Sequence, residues 1–172
     1  MKVLFAASEA HPFIKTGGLG DVMGALPKSL IKLGIDTRVV IPKYKNIKDE
    51  LKQKLQFVKW FTVPVGWRNQ YCGVFQYEYN EVIYYFIDNE YYFNRDGLYG
   101  YFDDGERFAF FALVAREFLA RQKKVPDIIH VHDWQAGMLP CLCREDEWYR
   151  PGFSKTKFVM TIHNPAFQGM LD

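Results

Sequence analysis

Cysteine is scarce: Cys72, Cys141 and Cys143 are the only three in 172 residues, and no two form a CxxC pair. An odd number without paired spacing excludes a disulfide framework, and reduced thiols point to the cytoplasm. Long apolar runs are lacking too. Nothing approaches the ~20 residues of a membrane span. The opening Met1-Lys2-Val3-Leu4-Phe5-Ala6-Ala7 is too short for a signal h-region and runs straight into a polar glycine loop. Charge of one sign is not in excess: the formal net charge is +2, without the basic face that nucleic-acid readers carry. The lysines between positions 43 and 59 are interrupted by Asp49 and Glu50 and read as an ordinary solvated helix. Internal repeats and linkers are absent from the pattern. The expectation is a soluble, cytoplasmic, single-domain protein with neither nucleic acid nor membrane as partner.

Apolar residues, by contrast, make up 49% and aromatics 17% of the chain, enough for a real core at one-domain size. Residues 3–7 form a continuous apolar run, the pattern of a strand buried on both faces in a parallel sheet. A polar loop over 8–20 follows. Val22, Leu26, Leu30 and Leu33 then trace one helix face, with Pro27 near its start and Gly34 as the C′ residue. Residues 37–41 are a second strand stopped by Pro42, completing a βαβ unit with a right-handed crossover. Between 56 and 87 the chain is rich in Val, Tyr, Phe and Trp, with turn signals at 66–69 and at Asn80-Glu81. That predicts three strands in hairpin order, an antiparallel insertion or sheet edge. Phe108, Phe111, Ala112, Ala115, Phe118 and Leu119 mark an amphipathic helix. A strand over 128–131, a short helix from Trp134 and a strand over 157–162 complete the pattern. The fold class is α/β: a Rossmann-like, doubly wound, mostly parallel sheet with an antiparallel hairpin insertion. Its end at Asp172, soon after a strand, reads as a domain cut before its sheet is covered.

Three polar clusters stand at strand ends. The first is Lys15-Thr16-Gly17-Gly18-Leu19-Gly20-Asp21 between strand and helix. Glycines there let backbone N–H groups approach a phosphate at a helix N-terminus, with Lys15 as a mobile charge; a plain tight turn is the alternative. The lysine precedes the glycines, so this is not a P-loop. Met23 stands where the third glycine of GxGxxG belongs, and no acid ends the second strand, so it is not a dinucleotide fingerprint. The second cluster is His130-Val131-His132-Asp133-Trp134. Strand alternation places both histidines on one face, which raises a metal site. Trp134 and the shortage of further histidines argue instead for one histidine packed in the sheet, with His132 and Asp133 facing the cleft. The third is Thr161-Ile162-His163-Asn164. A parallel sheet would gather such ends along one edge.

In order and along the whole chain, the KTGGLGD run, His132-Asp133-Trp134, and His163-Asn164 followed by Phe167-Gln168-Gly169 resemble bacterial glycogen (starch) synthase. The resemblance implies the N-terminal half of a two-domain GT-B glycosyltransferase. Such an enzyme moves glucose from ADP-glucose to the non-reducing end of an α-1,4-glucan, retains the anomeric configuration, and uses no metal and no cofactor. It implies His163 and Asp133 as catalytic residues. It implies Lys15, Gly17, Gly18, Asp21, Tyr99 and Asn164 as substrate-binding, with Lys15 on the donor diphosphate and His163 against the donor glucose. The family's C-terminal nucleotide-binding domain, with its adenine pocket and a further carboxylate, has no counterpart in residues 1–172. On that basis the chain alone is expected to be inactive, and the uncovered sheet around residues 157–162 is expected to make it self-associate. Two rivals remain at this point. One is a non-enzymatic glucan-binding or regulatory module stacking sugars on Trp60, Trp67, Tyr71, Tyr77, Tyr92 and Tyr99. The other is a metal-dependent hydrolase built on His130, His132 and Asp133.

Overall fold

A computed structural model describes residues 1–167 and Gly169. The chain runs β1 (Lys2–Ala6), α1 (Gly18–Lys32), β2 (Asp36–Pro42), α2 (Asp49–Lys52), β3 (Gln56–Val65), β4 (Arg68–Tyr79) and β5 (Val82–Asp88). It continues through α3 (Glu90–Phe93), α4 (Asp104–Ala120), β6 (Ile128–His132), α5 (Asp133–Glu145) and β7 (Lys157–Thr161). The seven strands form one sheet in the order β3-β4-β5-β2-β1-β6-β7. Only β4 runs against its neighbours; every other pairing in the sheet is parallel. The hairpin strands extend this sheet through β5, which pairs in parallel with β2, and so build one of its edges.

The sheet is wound on both faces. Tyr84 and Tyr85 are successive on β5, so they point to opposite sides. Tyr84 reaches α1, where its hydroxyl donates to the Met23 carbonyl at 3.2 Å; Tyr85 packs edge-on against Phe118 of α4 at 4.8 Å. The first of these contacts has a further cause. Pro27 lacks the N–H that would bond the carbonyl four residues back, and that carbonyl is Met23's. The tyrosine supplies the missing donor. β1, covered on both faces, is buried along its whole length.

Three local expectations differ from what forms. Helix α1 begins at Gly18, inside the glycine run, so Pro27 lies in its interior instead of near its start. The lysine-rich segment is helical only over Asp49–Lys52. Its lysines instead tie loops: Lys43 pairs with Asp88 at 3.0 Å and Lys45 with Asp96 at 2.6 Å. Helix α4 is buried nearly all round, not amphipathic, because it lies between the sheet and α5. It even buries a charge. The Arg107 guanidinium is fully enclosed but binds Asp104 Oδ1 at 2.5 Å and the carbonyls of Tyr92 and Leu98 at 2.7 and 3.0 Å. An enclosed charge persists only with such partners.

Candidate functional site

The three polar clusters follow β1, β6 and β7, which are neighbours in the sheet. The chain leaves β1 toward β2 on one side, while β6 lies on the other. That makes the gap between β1 and β6 the topological switch point, where α/β sheets hold ligands outside their carboxyl ends. A cleft of about 1020 Å³ opens there, lined by Glu9, Thr16, Gly17, Gly18, Tyr99, Asp104, Asp133, Trp134, His163 and Asn164 among others. Gly17, Gly18, Tyr99, Asp133, His163 and Asn164 thus meet as the sequence predicts. Lys15 and Asp21 are not in the lining. They pair with each other, Lys15 Nζ lying 2.7 Å from both Asp21 carboxylate oxygens, and their side chains are 44% and 59% exposed.

The glycine loop is built on Glu9, a residue the sequence reading passed over. This buried carboxylate accepts from the Thr16 N–H at 2.5 Å, the Thr16 hydroxyl at 2.7 Å, the Gly17 N–H at 3.4 Å and the Tyr99 hydroxyl at 2.7 Å. It joins the loop after β1 to the segment before α4. Two backbone donors suited to a phosphate are therefore already engaged, which leaves the first turn of α1 for an anion. No side chain caps that helix at Gly17. The glycines there differ in kind. A Cβ on Gly20 would lie 2.5 Å from Lys15 Cβ, so folding demands glycine at that position. A Cβ on Gly17 or Gly18 would meet nothing within 4 Å. Nothing among the described residues calls for glycine at those two cleft positions, whereas close approach of a ligand would. The only advance signal for Glu9 was its place, a carboxylate directly after the first strand.

The histidines form a ladder. His130 and His132 stack at 4.2 Å, and Phe5 on β1 packs against both, at 5.1 and 5.6 Å. His130 Nε2 lies 2.8 Å from Thr161 Oγ1, and His132 Nδ1 lies 2.8 Å from His163 Nε2. The two β6 histidines do share one face, but His132 is only 1% exposed and does not face the cleft. His163 stands between it and the open space. The ladder follows from register, since His132 and Thr161 are direct partners across β6 and β7. Burial pushes the His132 imidazole down to about 3, reinforced by His130 and His163. Burial and His163 also lower His130. Among the described residues no group of three His, Cys, Asp or Glu is arranged to hold a metal ion.

Asp133 opens α5 with φ +58°, a left-handed conformation unusual for a residue with a side chain, and its Oδ1 accepts from the His163 N–H at 2.7 Å. One carboxylate oxygen thus ties the end of β7 to the start of α5. Asn164 closes a turn on the Ala166 N–H at 3.0 Å. Trp134 packs edge-on against Phe108, and Gly169 sits so close to the indole that a Cβ would fall 2.4 Å from it. Gln168 of the same motif lies outside the described residues. Burial raises the Tyr99 hydroxyl, which remains a neutral donor to Glu9. Of the six aromatics suited to sugar stacking, Tyr92 is buried, Tyr77 packs on Phe13, and Tyr99 serves the cleft. Trp60, Trp67 and Tyr71 are left exposed.

The order of strands and the switch-point cleft define a Rossmann-like α/β domain with its candidate site at the carboxyl ends of the strands. Comparison with known proteins gives the family: the chain belongs to that of the starch synthase catalytic domain, whose family model matches residues 2–172. It is 62% identical over 169 residues to a glycogen synthase of Clostridium perfringens, covering 98% of this chain and 35% of that protein. A glycogen synthase of Geobacillus stearothermophilus is 55% identical over 170 residues, 99% of this chain and 35% of the relative. Among solved structures, the catalytic domain of starch synthase IV from Arabidopsis thaliana, bound to ADP and acarbose, matches with a TM-score of 0.84 at 28% identity. That match covers 94% of this chain and 34% of the other. The chain spans about a third of the length of these relatives. No helix among the described residues is long and apolar enough to cross a membrane.

Proposed function

We propose that this chain forms the N-terminal wall of the cleft of a retaining, ADP-glucose-dependent glucosyltransferase. The enzyme would extend an α-1,4-glucan at its non-reducing end in cytoplasmic glycogen synthesis, without metal or cofactor. The observation that carries the reading is the switch-point cleft in which Gly17 and Gly18 leave a bare helix N-terminus opposite His163 and Asp133. Support comes from the glycogen synthase relatives and from the ADP and acarbose bound by the starch synthase IV domain.

In the reaction, the bond from the anomeric carbon to the diphosphate oxygen breaks. A bond to the acceptor's terminal 4-hydroxyl forms, and that hydroxyl's proton leaves with the diphosphate. The first turn of α1 and Lys15 would stabilise charge growing on the leaving diphosphate, with Asp21 holding the Lys15 ammonium ready. His163 and Asp133 would lie beside the transferred sugar, where oxocarbenium character develops. Tyr99 and Asn164 would complete the binding wall. A cleft enzyme needs both walls to align donor and acceptor, so residues 1–172 alone should not turn over. The test uses the full-length parent enzyme. Losing a charge-assisted contact costs about 1.5–3 kcal/mol, so Lys15→Ala should weaken the donor about 10- to 150-fold. His163→Ala should fall mainly on kcat. Donor KM and kcat within about twofold of the parent for Lys15→Ala would overturn the role of this loop.

A further inference from the structure

We propose that His132 is a positioning residue for His163: it holds His163 as the tautomer protonated on Nδ1 and so presents a fixed N–H donor to the cleft. Its catalytic consequence rests on the reading of His163 beside the transferred sugar; the tautomer does not.

The two rings meet edge to edge. Their centroids are 5.1 Å apart with planes 17° from parallel, and His132 Nδ1 and His163 Nε2 are 2.8 Å apart. The contact therefore lies in the plane of both rings, where the lone pair and the N–H point, and a single proton occupies it. His132 cannot turn away, since Phe5 and His130 flank its ring. It is neutral in the fold, so it carries one N–H. Its other nitrogen, Nε2, is buried without a partner among the described residues. If the proton sat on Nε2, an N–H would be enclosed with no acceptor, which folded proteins rarely leave. With the proton on Nδ1, only a lone pair goes unpaired. His132 is then the donor and His163 Nε2 the acceptor, which places the single proton of a neutral His163 on Nδ1. Because Nε2 is engaged, Nδ1 is the nitrogen available to the cleft that His163 lines. His130 does not compete, since its Nε2 is spent on Thr161. A solvated imidazole prefers the opposite tautomer, so the arrangement has a clear signature. A donor at a fixed ring atom is what a sugar hydroxyl or a developing oxyanion requires, and second-layer contacts commonly set histidine tautomers in this way.

The test is a long-range proton–nitrogen correlation spectrum of the nitrogen-15-labelled 172-residue chain at about pH 8, where imidazoles are neutral. The expected result is His163 protonated on Nδ1. In His132→Phe, which keeps a ring but no donor, His163 should revert to the solvated preference for Nε2. In His132→Asn, whose amide nitrogen stands near the Nδ1 position, the Nδ1 form should persist. In the full-length enzyme, H132F should lower kcat about tenfold or more with donor KM within about twofold, and H132N should recover most of the loss. A wild-type His163 protonated on Nε2, or a tautomer unchanged in H132F, would overturn the proposal. A shifted tautomer with unchanged kcat would uphold the tautomer and overturn its use by the transferred sugar.

Discussion

Acid should destabilise this protein through a histidine that never meets solvent. Burial drives His132 from its ordinary 6.5 down to about 3, with His130 and His163 adding to the effect. Folded, the ring stays neutral across that window; unfolded, it takes up a proton below about 6.5. The unfolded state thus binds more protons, and stability falls as the pH drops from 6.5 toward 3, with no contribution from this group above 6.5. Each pH unit inside the window costs about 1.4 kcal/mol, so His132 alone removes about 2 kcal/mol at pH 5 and about 3 at pH 4. That is a large share of the roughly 5–15 kcal/mol that holds a domain together.

The assay is urea denaturation of the 172-residue chain and of His132→Phe at a series of pH values from 7.5 to 4.5. His130 is lowered first by its own burial, which both proteins keep, and the carboxylates are common to both. Most of the other contributions therefore cancel, and the difference in slope reports chiefly on His132. Between pH 6 and 4.5 the wild type should lose stability more steeply by about one proton, or about 1.4 kcal/mol per pH unit. Parallel curves would show that His132 is not held neutral in the fold, and the reasoning from burial would fail.

The glycines of the first loop should separate fold from function. A Cβ at Gly20 meets Lys15 Cβ at 2.5 Å, so Gly20→Ala should lose about 1–3 kcal/mol to overpacking against a helix-propensity gain of only about 1. Gly18→Ala should be no less stable than wild type while weakening the donor in the full-length enzyme. Equal urea midpoints for the two alanine variants would refute this. The β7 edge leaves Val159, Met160 and Ile162 exposed, so the isolated chain should associate as its concentration rises. Light scattering that reports a monomer throughout would contradict it.

Much of the fold could be read along the chain because its signals are local. Apolar runs marked β1 and β2, the Asn80-Glu81 turn marked the β4–β5 hairpin, and Gly34, at φ +77°, marked the end of α1. Apolar spacing marked α4 as a helix but misjudged it as amphipathic, because its remaining positions are also buried, between the sheet and α5. The lysine segment also failed, because its charges are used by distant partners, Asp88 and Asp96.

The candidate site divides in the same way. Placing Gly17, Gly18, Asp133, His163 and Asn164 at one sheet edge required only strand ends and parallel topology, both of which are local pattern plus a general packing rule. What the sequence by itself determined is therefore that these five reach the cleft's rim. Tertiary structure alone decided which polar groups around them are free to act. Glu9 takes the Thr16 and Gly17 N–H groups, Asp21 takes Lys15, and His132 disappears into the core against His163. Each is a pairing between groups six to thirty-one residues apart. Its existence depends on angles and distances of a few ångströms that the folded sheet sets and that no run of neighbouring residues encodes.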